Sequence, residues 1–114
     1  MNQVLFSFTP KDFSFIVEQN LSDIFSRLAK ADAKINLMQN SALNFSILVD
    51  EEKVSIEEIQ RLFEDTYNVR FNQGLELVTV RHYDQETLDR VTTDKEIILQ
   101  QKTRETARLI VKQR

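Results

Sequence analysis

The order of two hydrophobic periodicities along the first 73 residues limits the fold more than any other feature of this sequence. Alternating apolar and polar residues predict half-buried strands, and apolar residues spaced three and four apart predict helices. The strands are predicted at Val4–Thr9, Lys34–Asn40, Leu43–Val49 and Tyr67–Phe71, and the helices around Leu21–Ala29 and after Ser55. This βαββαβ order predicts an α+β, ferredoxin-like fold in which two helices cover one face of a four-stranded antiparallel sheet.

Both predicted helices begin near residues that favour a helix N-terminus. Asn20 is a suitable N-cap for the first helix, and Asp23 lies near its positive end. Ser55 and Glu58 have the spacing of a capping box at the start of the second helix. The segment Phe13–Glu18 fits the helical and the strand periodicity equally well, so its conformation stays open.

Asn72-Gln73-Gly74 is the strongest turn signal in the chain and contains its only glycine. A second series of elements follows it. These elements are a strand at Leu75–Tyr83, a short helix capped by Asp84, and strands at Glu96–Lys102 and Ala107–Lys112. We therefore predict two domains, residues 1–73 and 74–114, of which the second is a truncated βαββ repeat of the first.

Composition argues against several classes of function. A net charge of −3 and the lack of a basic stripe make nucleic acid and anionic membranes poor partners. RNA-binding modules of this fold also need aromatic residues on the middle strands and a basic surface. No apolar run approaches the roughly 18 residues of a membrane-spanning helix. The lack of cysteine excludes disulfides and thiolate chemistry, and it fits a cytoplasmic protein.

The sequence contains no recognisable catalytic constellation. A single glycine cannot build a phosphate-binding loop. The only histidine, His82, lacks the cysteines or clustered carboxylates of a metal site, and we expect it at the surface or an interface. A solvated turn and a helix start explain the carboxylate pairs Glu51-Glu52 and Glu57-Glu58. We expect this chain to have no catalytic residue, no metal and no cofactor.

The stretch "INLMQNS", residues 35–41, ends in a cluster of uncharged hydrogen-bonding side chains. A hairpin turn explains Asn40 and Ser41 but explains Asn36 and Gln39 less well. Alternation predicts that Asn36 lies on the same strand face as Met38 and Asn40. The start of the first helix is expected nearby, and its free N–H groups favour a carboxylate. Two interpretations stay open: a simple turn, and a site for a small zwitterion.

Three stretches resemble the carboxy-terminal regulatory region of aspartate kinases, which carries paired ACT domains. They are residues 20–25 (NLSDIF), residues 33–41 (AKINLMQNS) and residues 45–49 (FSILV). Residues 74–80 (GLELVTV) resemble the junction at which the second ACT unit of that family begins. The resemblance covers nearly the whole chain. It implies a first ACT domain at residues 1–73 and a partial second ACT-like unit at 74–114.

The resemblance also implies a function for the polar cluster. In this family the start of the first helix and the end of the second strand hold an inhibitory amino acid, lysine or threonine, at a dimer interface. The effector-binding residues implied by that match are Asn20, Leu21, Ser22, Asn36, Leu37, Asn40 and Ser41.

A parent aspartate kinase would phosphorylate L-aspartate from ATP, the first step of lysine, threonine and methionine biosynthesis. Its kinase lobe, which holds ATP and magnesium, is not part of this sequence. The expected partners are therefore the amino-acid effector, a second copy of the chain in a homodimer, and the kinase lobe. The alternative is an ACT-like dimerisation module that binds no ligand.

Overall fold

The computed structural model describes residues 2–113, and the chain divides into two compact units between Gln73 and Gly74. The first unit has the order βαββαβ. Its elements are β1 (Gln3–Pro10), α1 (Glu18–Lys30), β2 (Leu37–Asn40), β3 (Phe45–Asp50), α2 (Ile56–Phe63) and the first part of β4 (Tyr67–Arg81). A single 3-10 turn, Glu51–Lys53, precedes α2. The predicted ferredoxin-like fold class is confirmed.

The sheet of the first unit has the strand order β2-β3-β1-β4, with β3 antiparallel to both β1 and β2. Alternate residues of β1, β3 and β4 point towards the helices, which contribute their own apolar stripes. The resulting core contains Val4, Phe6, Phe8, Ile24, Leu28, Phe45, Ile47, Val49, Ile59, Phe63 and Tyr67. Burial of these side chains is the main favourable contribution to the stability of this unit.

The second unit begins with the remainder of β4 and has the predicted βαββ order. Its other elements are α3 (Gln85–Val91), β5 (Lys95–Lys102) and β6 (Thr106–Gln113). The strands are antiparallel in the order β4-β6-β5. Leu88 of α3 packs on Ala107, Leu109 and Val111 of β6 in a small separate core. The Asp84 carboxylate accepts the Thr87 N–H as the predicted cap.

The predicted turn at Asn72-Gln73-Gly74 is wrong, because β4 continues through it from Tyr67 to Arg81. Gly74 has a φ of +68° and no atom within 4 Å of the position that a Cβ would take. Glycine adopts this φ without steric cost. Gly74 therefore accommodates the local change in backbone dihedral angles, and strand β4 continues past it.

The first helix also begins earlier than its apolar pattern predicts. Val17, rather than Asn20, is the residue at the N-cap position. Asn20 lies one turn into the helix, and its Oδ1 accepts the Val17 backbone N–H at 3.0 Å. Residues 13–17, whose conformation the sequence did not decide, have no regular structure, and Phe13 has a φ of 60°. Ser55, by contrast, caps α2 as predicted by accepting the Glu58 N–H.

None of the helices in residues 2–113 is both long enough and apolar enough to cross a membrane.

Candidate functional site

A cavity of about 570 Å³ lies at the start of α1. It is lined by Ile16, Val17, Glu18, Gln19, Leu21 and Asn40. The Ile16 N–H donates to the Ala42 carbonyl at 2.8 Å, which ties the segment before α1 to the turn after β2. The fold thus brings the beginning of the first helix to the end of the second strand.

The backbone at the start of α1 offers hydrogen-bond donors to this cavity. Asn20 and Leu21 donate their N–H groups to the Val17 carbonyl. Within residues 2–113 the N–H groups of Glu18 and Gln19 have no acceptor. Free N–H groups and the positive helix end favour a negatively charged group at this position.

The side chains of the lining divide by chemistry. Ile16, Val17 and Leu21 are apolar, whereas Glu18 supplies a carboxylate and Asn40 supplies an amide. The lining contains no Lys, Arg or His side chain. The arrangement can therefore bind a carboxylate through backbone N–H groups and a cation through Glu18 and Asn40, with aliphatic carbons against Leu21.

The seven residues predicted as effector contacts do not all reach this cavity. Leu21 and Asn40 line it, and Asn20 supports it by holding the Val17 N–H. Ser22 is exposed on α1 and Leu37 is buried opposite Leu48. The Ser41 hydroxyl hydrogen-bonds with Asn44 and closes the hairpin turn, which is the role that the simple-turn interpretation predicts.

Asn36 belongs to a different cluster. It precedes β2, and its Nδ2 donates to Gln3 Oε1 at 2.8 Å and to Asp50 Oδ1 at 2.9 Å. The Asn36 amide therefore does not share a strand face with Met38 and Asn40, although alternation predicts that it does. Hydrogen bonds from Gln3 and from Asn36 lower the pKa of the Asp50 carboxyl below its usual value, and Lys53 contributes further.

The sequence interpretation missed most of the cavity lining, since Ile16, Val17, Glu18 and Gln19 were not predicted as site residues. These residues belong to or border the segment whose periodicity was ambiguous. The available signal was the helix start itself, because a helix begun at Glu18 places its free N–H groups there.

The other polar candidates show no site geometry. His82 is exposed, and its backbone N–H donates to the Glu105 carbonyl. Glu57 and Glu58 lie exposed in the first turn of α2. In the part of the chain that the structure describes, no three His, Asp or Glu residues are grouped as metal ligands.

No family model and no curated protein matches the sequence. Solved structures match it in fold. Escherichia coli aspartokinase III in complex with lysine and aspartate has a TM-score of 0.73 and 14% identity, covering 97% of this chain and 28% of that one. A C-terminal regulatory domain, putatively of aspartate kinase, from Porphyromonas gingivalis W83 has a TM-score of 0.76 and 10% identity, covering 97% and 81%.

The ligand-free regulatory subunit of aspartate kinase from Thermus thermophilus is a third similar structure, with a TM-score of 0.64 and 8% identity over 96% of this chain. Together these matches identify the fold as that of aspartate kinase regulatory regions, with their ACT-type repeats. The resemblance predicted from the sequence is confirmed at the level of the fold. The chain spans about 28% of the length of aspartokinase III and 83% of the isolated Thermus subunit.

Proposed function

We propose that this chain is the amino-acid-sensing regulatory module of an aspartate kinase and mediates feedback inhibition by lysine or threonine. The cavity between the start of α1 and the end of β2 is the observation that carries the proposal. Further support comes from the fold shared with E. coli aspartokinase III, whose structure was solved in complex with lysine and aspartate.

The proposed effector lies with its carboxylate at the N–H groups of Glu18 and Gln19. Its ammonium group carries a positive charge and donates hydrogen bonds, so it faces two acceptors, the Glu18 carboxylate and the Asn40 Oδ1. Its side chain packs on Leu21. All three contacts use residues that line the cavity.

The regulatory effect requires a kinase lobe in the parent protein, which would bind ATP and magnesium and phosphorylate aspartate in the cytoplasm. Effector binding must then favour one state of the enzyme over another. A coupling free energy of about 1–3 kcal/mol between the two sites is typical of such regulation.

Calorimetric titration of lysine and threonine into the chain tests this function. We expect one of them to bind, and we expect Asn40→Ala to weaken that binding roughly 2- to 13-fold, the equivalent of about 0.5–1.5 kcal/mol for a lost hydrogen bond. Ser22→Ala is the matched control, because Ser22 is exposed and lies outside the cavity lining. Absence of binding by both amino acids would contradict the sensing function.

A ligand-free dimerisation module is the second candidate, and a specific surface favours it. We call this surface the α1–β2 edge and define it by Val17, Phe25 and Met38, which are 52%, 38% and 47% exposed. β2 is the last strand on its side of the sheet order. Exposed apolar side chains on the last strand of a sheet and at the neighbouring helix α1 fit a second copy of the chain.

A further inference from the structure

A second recess lies on the other face of the first unit's sheet and shares no lining residue with the α1 cavity. Its volume is about 240 Å³, and its lining is Ser7, Thr9, Phe13, Asn44, Asn68, Arg70 and Asn72. Phe6, Phe8, Tyr67 and Val69 pack in the core beneath the helices. Because side chains alternate along a strand, the neighbouring residues Ser7, Thr9, Asn68 and Arg70 point away from those helices.

Arg70 gives this recess an uncompensated positive charge. It is the only charged residue in the lining, which otherwise contains hydroxyls, amides and one aromatic ring. Within residues 2–113, no group forms a hydrogen bond or ion pair with its guanidinium. Arg27, in contrast, has hydrogen-bonding partners on all three of its guanidinium nitrogens. A guanidinium with free donors pairs most strongly with a planar carboxylate, through two parallel hydrogen bonds.

The neighbours of Arg70 extend this donor set. Asn68 and Asn72 lie two residues before and after it, on the same face of β4. Their side-chain amides also have no hydrogen-bond partner among the described residues. One cation surrounded by neutral donors and acceptors suits a single negative charge better than a dianion, because only one charge is neutralised.

Phe13 supplies the apolar part of the lining. Its side chain is 79% exposed, and its φ of 60° lies in the left-handed region that a bulky residue rarely adopts. Its backbone N–H donates to the Pro10 carbonyl at 3.0 Å, which holds the turn that follows β1. The ring contributes nothing to the buried core of this unit, so its face is available to a ligand.

We propose that this recess is a second binding site, for a small organic monocarboxylate with a flat apolar portion. The carboxylate pairs with the Arg70 guanidinium, Asn68 and Asn72 hydrogen-bond its polar groups, and the apolar portion packs on the Phe13 ring. The volume lies below the roughly 300 Å³ at which pockets for drug-sized ligands begin, so the ligand is small. The site is independent of the regulatory function proposed above.

Benzoate is the probe, and benzamide is its uncharged control of the same shape. Both are titrated into the full chain and followed by the amide resonances of Ser7, Thr9, Asn68 and Arg70. We expect benzoate to shift these resonances and benzamide to bind at least about 10-fold more weakly, since bonds to a charged group are the stronger ones. Arg70→Gln should weaken benzoate binding by about the same factor, and Phe13→Ala by roughly 3-fold.

Arg61→Gln is the matched variant, because Arg61 is also an exposed arginine but lies on α2 outside the recess. It should leave benzoate binding unchanged. The proposal is overturned if benzoate causes no shift at about 10 mM, well above a millimolar Kd. It is also overturned if binding survives Arg70→Gln, or if the shifts map to Leu21 and Asn40 instead. Inorganic phosphate that competes as strongly as benzoate would overturn the carboxylate assignment.

Discussion

Asn36 and Asn40 are only four residues apart, yet the fold gives them different chemical surroundings. Asn40 ends β2 and lines the cavity at α1. The Asn36 amide donates to Gln3 and Asp50, which are only 5% and 8% exposed. A buried acceptor that loses its donor costs free energy, whereas water can replace the hydrogen bonds of an exposed amide.

Replacement of Asn36 by Ala is therefore expected to destabilise the fold by about 1–3 kcal/mol, because Asp50 and Gln3 each lose a hydrogen bond. Chemical denaturation measures the change. Asn40→Ala is the matched comparison and should leave the free energy of unfolding nearly unchanged. If Asn36→Ala proved neutral for stability and reduced effector affinity, Asn36 would be a ligand contact rather than a structural residue.

Asp50 makes the stability of the fold depend on acidic pH. Its pKa in the folded chain is lowered by the hydrogen bonds from Gln3 and Asn36, while an unfolded aspartate has a pKa of about 3.9. Its ionised form thus stabilises the fold above that pH, and the contribution is lost as pH falls through the folded-state pKa.

Comparison of the wild type with Asp50→Asn over pH isolates this effect. The wild type should be the more stable protein at pH 7, and the difference in unfolding free energy should shrink below about pH 4. Denaturant titrations at both pH values provide the measurement. A difference that stays constant from pH 7 to 3 would show that the Asp50 charge does not contribute.

At the scale of elements, Arg27 joins α1 to the end of α2 and the start of β4. Its Nε bonds Asp23 at 3.0 Å, its Nη1 bonds the Leu62 carbonyl at 3.0 Å and Asp65 at 2.8 Å, and its Nη2 bonds Thr66 at 3.0 Å. The guanidinium also lies 5.7 Å from the ring centres of Phe63 and Tyr67. One side chain thus fixes how the two helices pack.

Arg27→Met should lower the free energy of unfolding by about 2–4 kcal/mol, because it keeps the aliphatic stem and removes all of these hydrogen bonds. Arg61→Met is the control, since among residues 2–113 Arg61 makes only an exposed ion pair, with Glu57 at 4.0 Å. Such pairs contribute at most about 1 kcal/mol. Thermal or denaturant unfolding that shows equal losses for the two variants would contradict this role of Arg27.

The elements differ in how far the sequence predicts them. Strand β6, predicted at Ala107–Lys112 and observed at Thr106–Gln113, follows from alternation, because Ala107, Leu109 and Val111 lie two residues apart and are buried on one face. The start of α1 does not follow from periodicity, because Val17 at the N-cap position makes no side-chain capping hydrogen bond. The Asn20 side chain instead accepts the Val17 backbone N–H at this end of the helix. The prediction of a turn at Gly74 was wrong because one glycine with positive φ fits within a strand as well as within a turn.

The same distinction holds for the candidate site at the scale of the whole molecule. The meeting of the α1 start with the β2 end follows from the βαββ topology, which local periodicity predicts. The partners of Asn36 do not, because Gln3 and Asp50 are 33 and 14 residues away along the chain. Interactions between distant residues depend on register and on exact backbone position, neither of which a single sequence specifies.

Assembly belongs to the whole molecule, and the α1–β2 edge predicts a two-fold dimer. β2 is the last strand on its side of the sheet order, and its Met38 side chain is 47% exposed. Closed two-fold pairing is the commonest way in which identical chains cover such a surface. Sedimentation velocity should therefore give a mass about twice the 13.4 kDa of the chain.

Met38→Glu should convert this dimer to a monomer, because it places a carboxylate of each copy in the apolar contact, where charge is costly to bury. Ile97→Glu is the matched control: Ile97 is 44% exposed and lies on β5, a strand of the second unit. It should leave the dimer intact, and circular dichroism should show that both variants are folded. A wild type that sediments as a monomer, or dimer loss in Ile97→Glu but not in Met38→Glu, would place the interface elsewhere and remove the support for the α1–β2 edge.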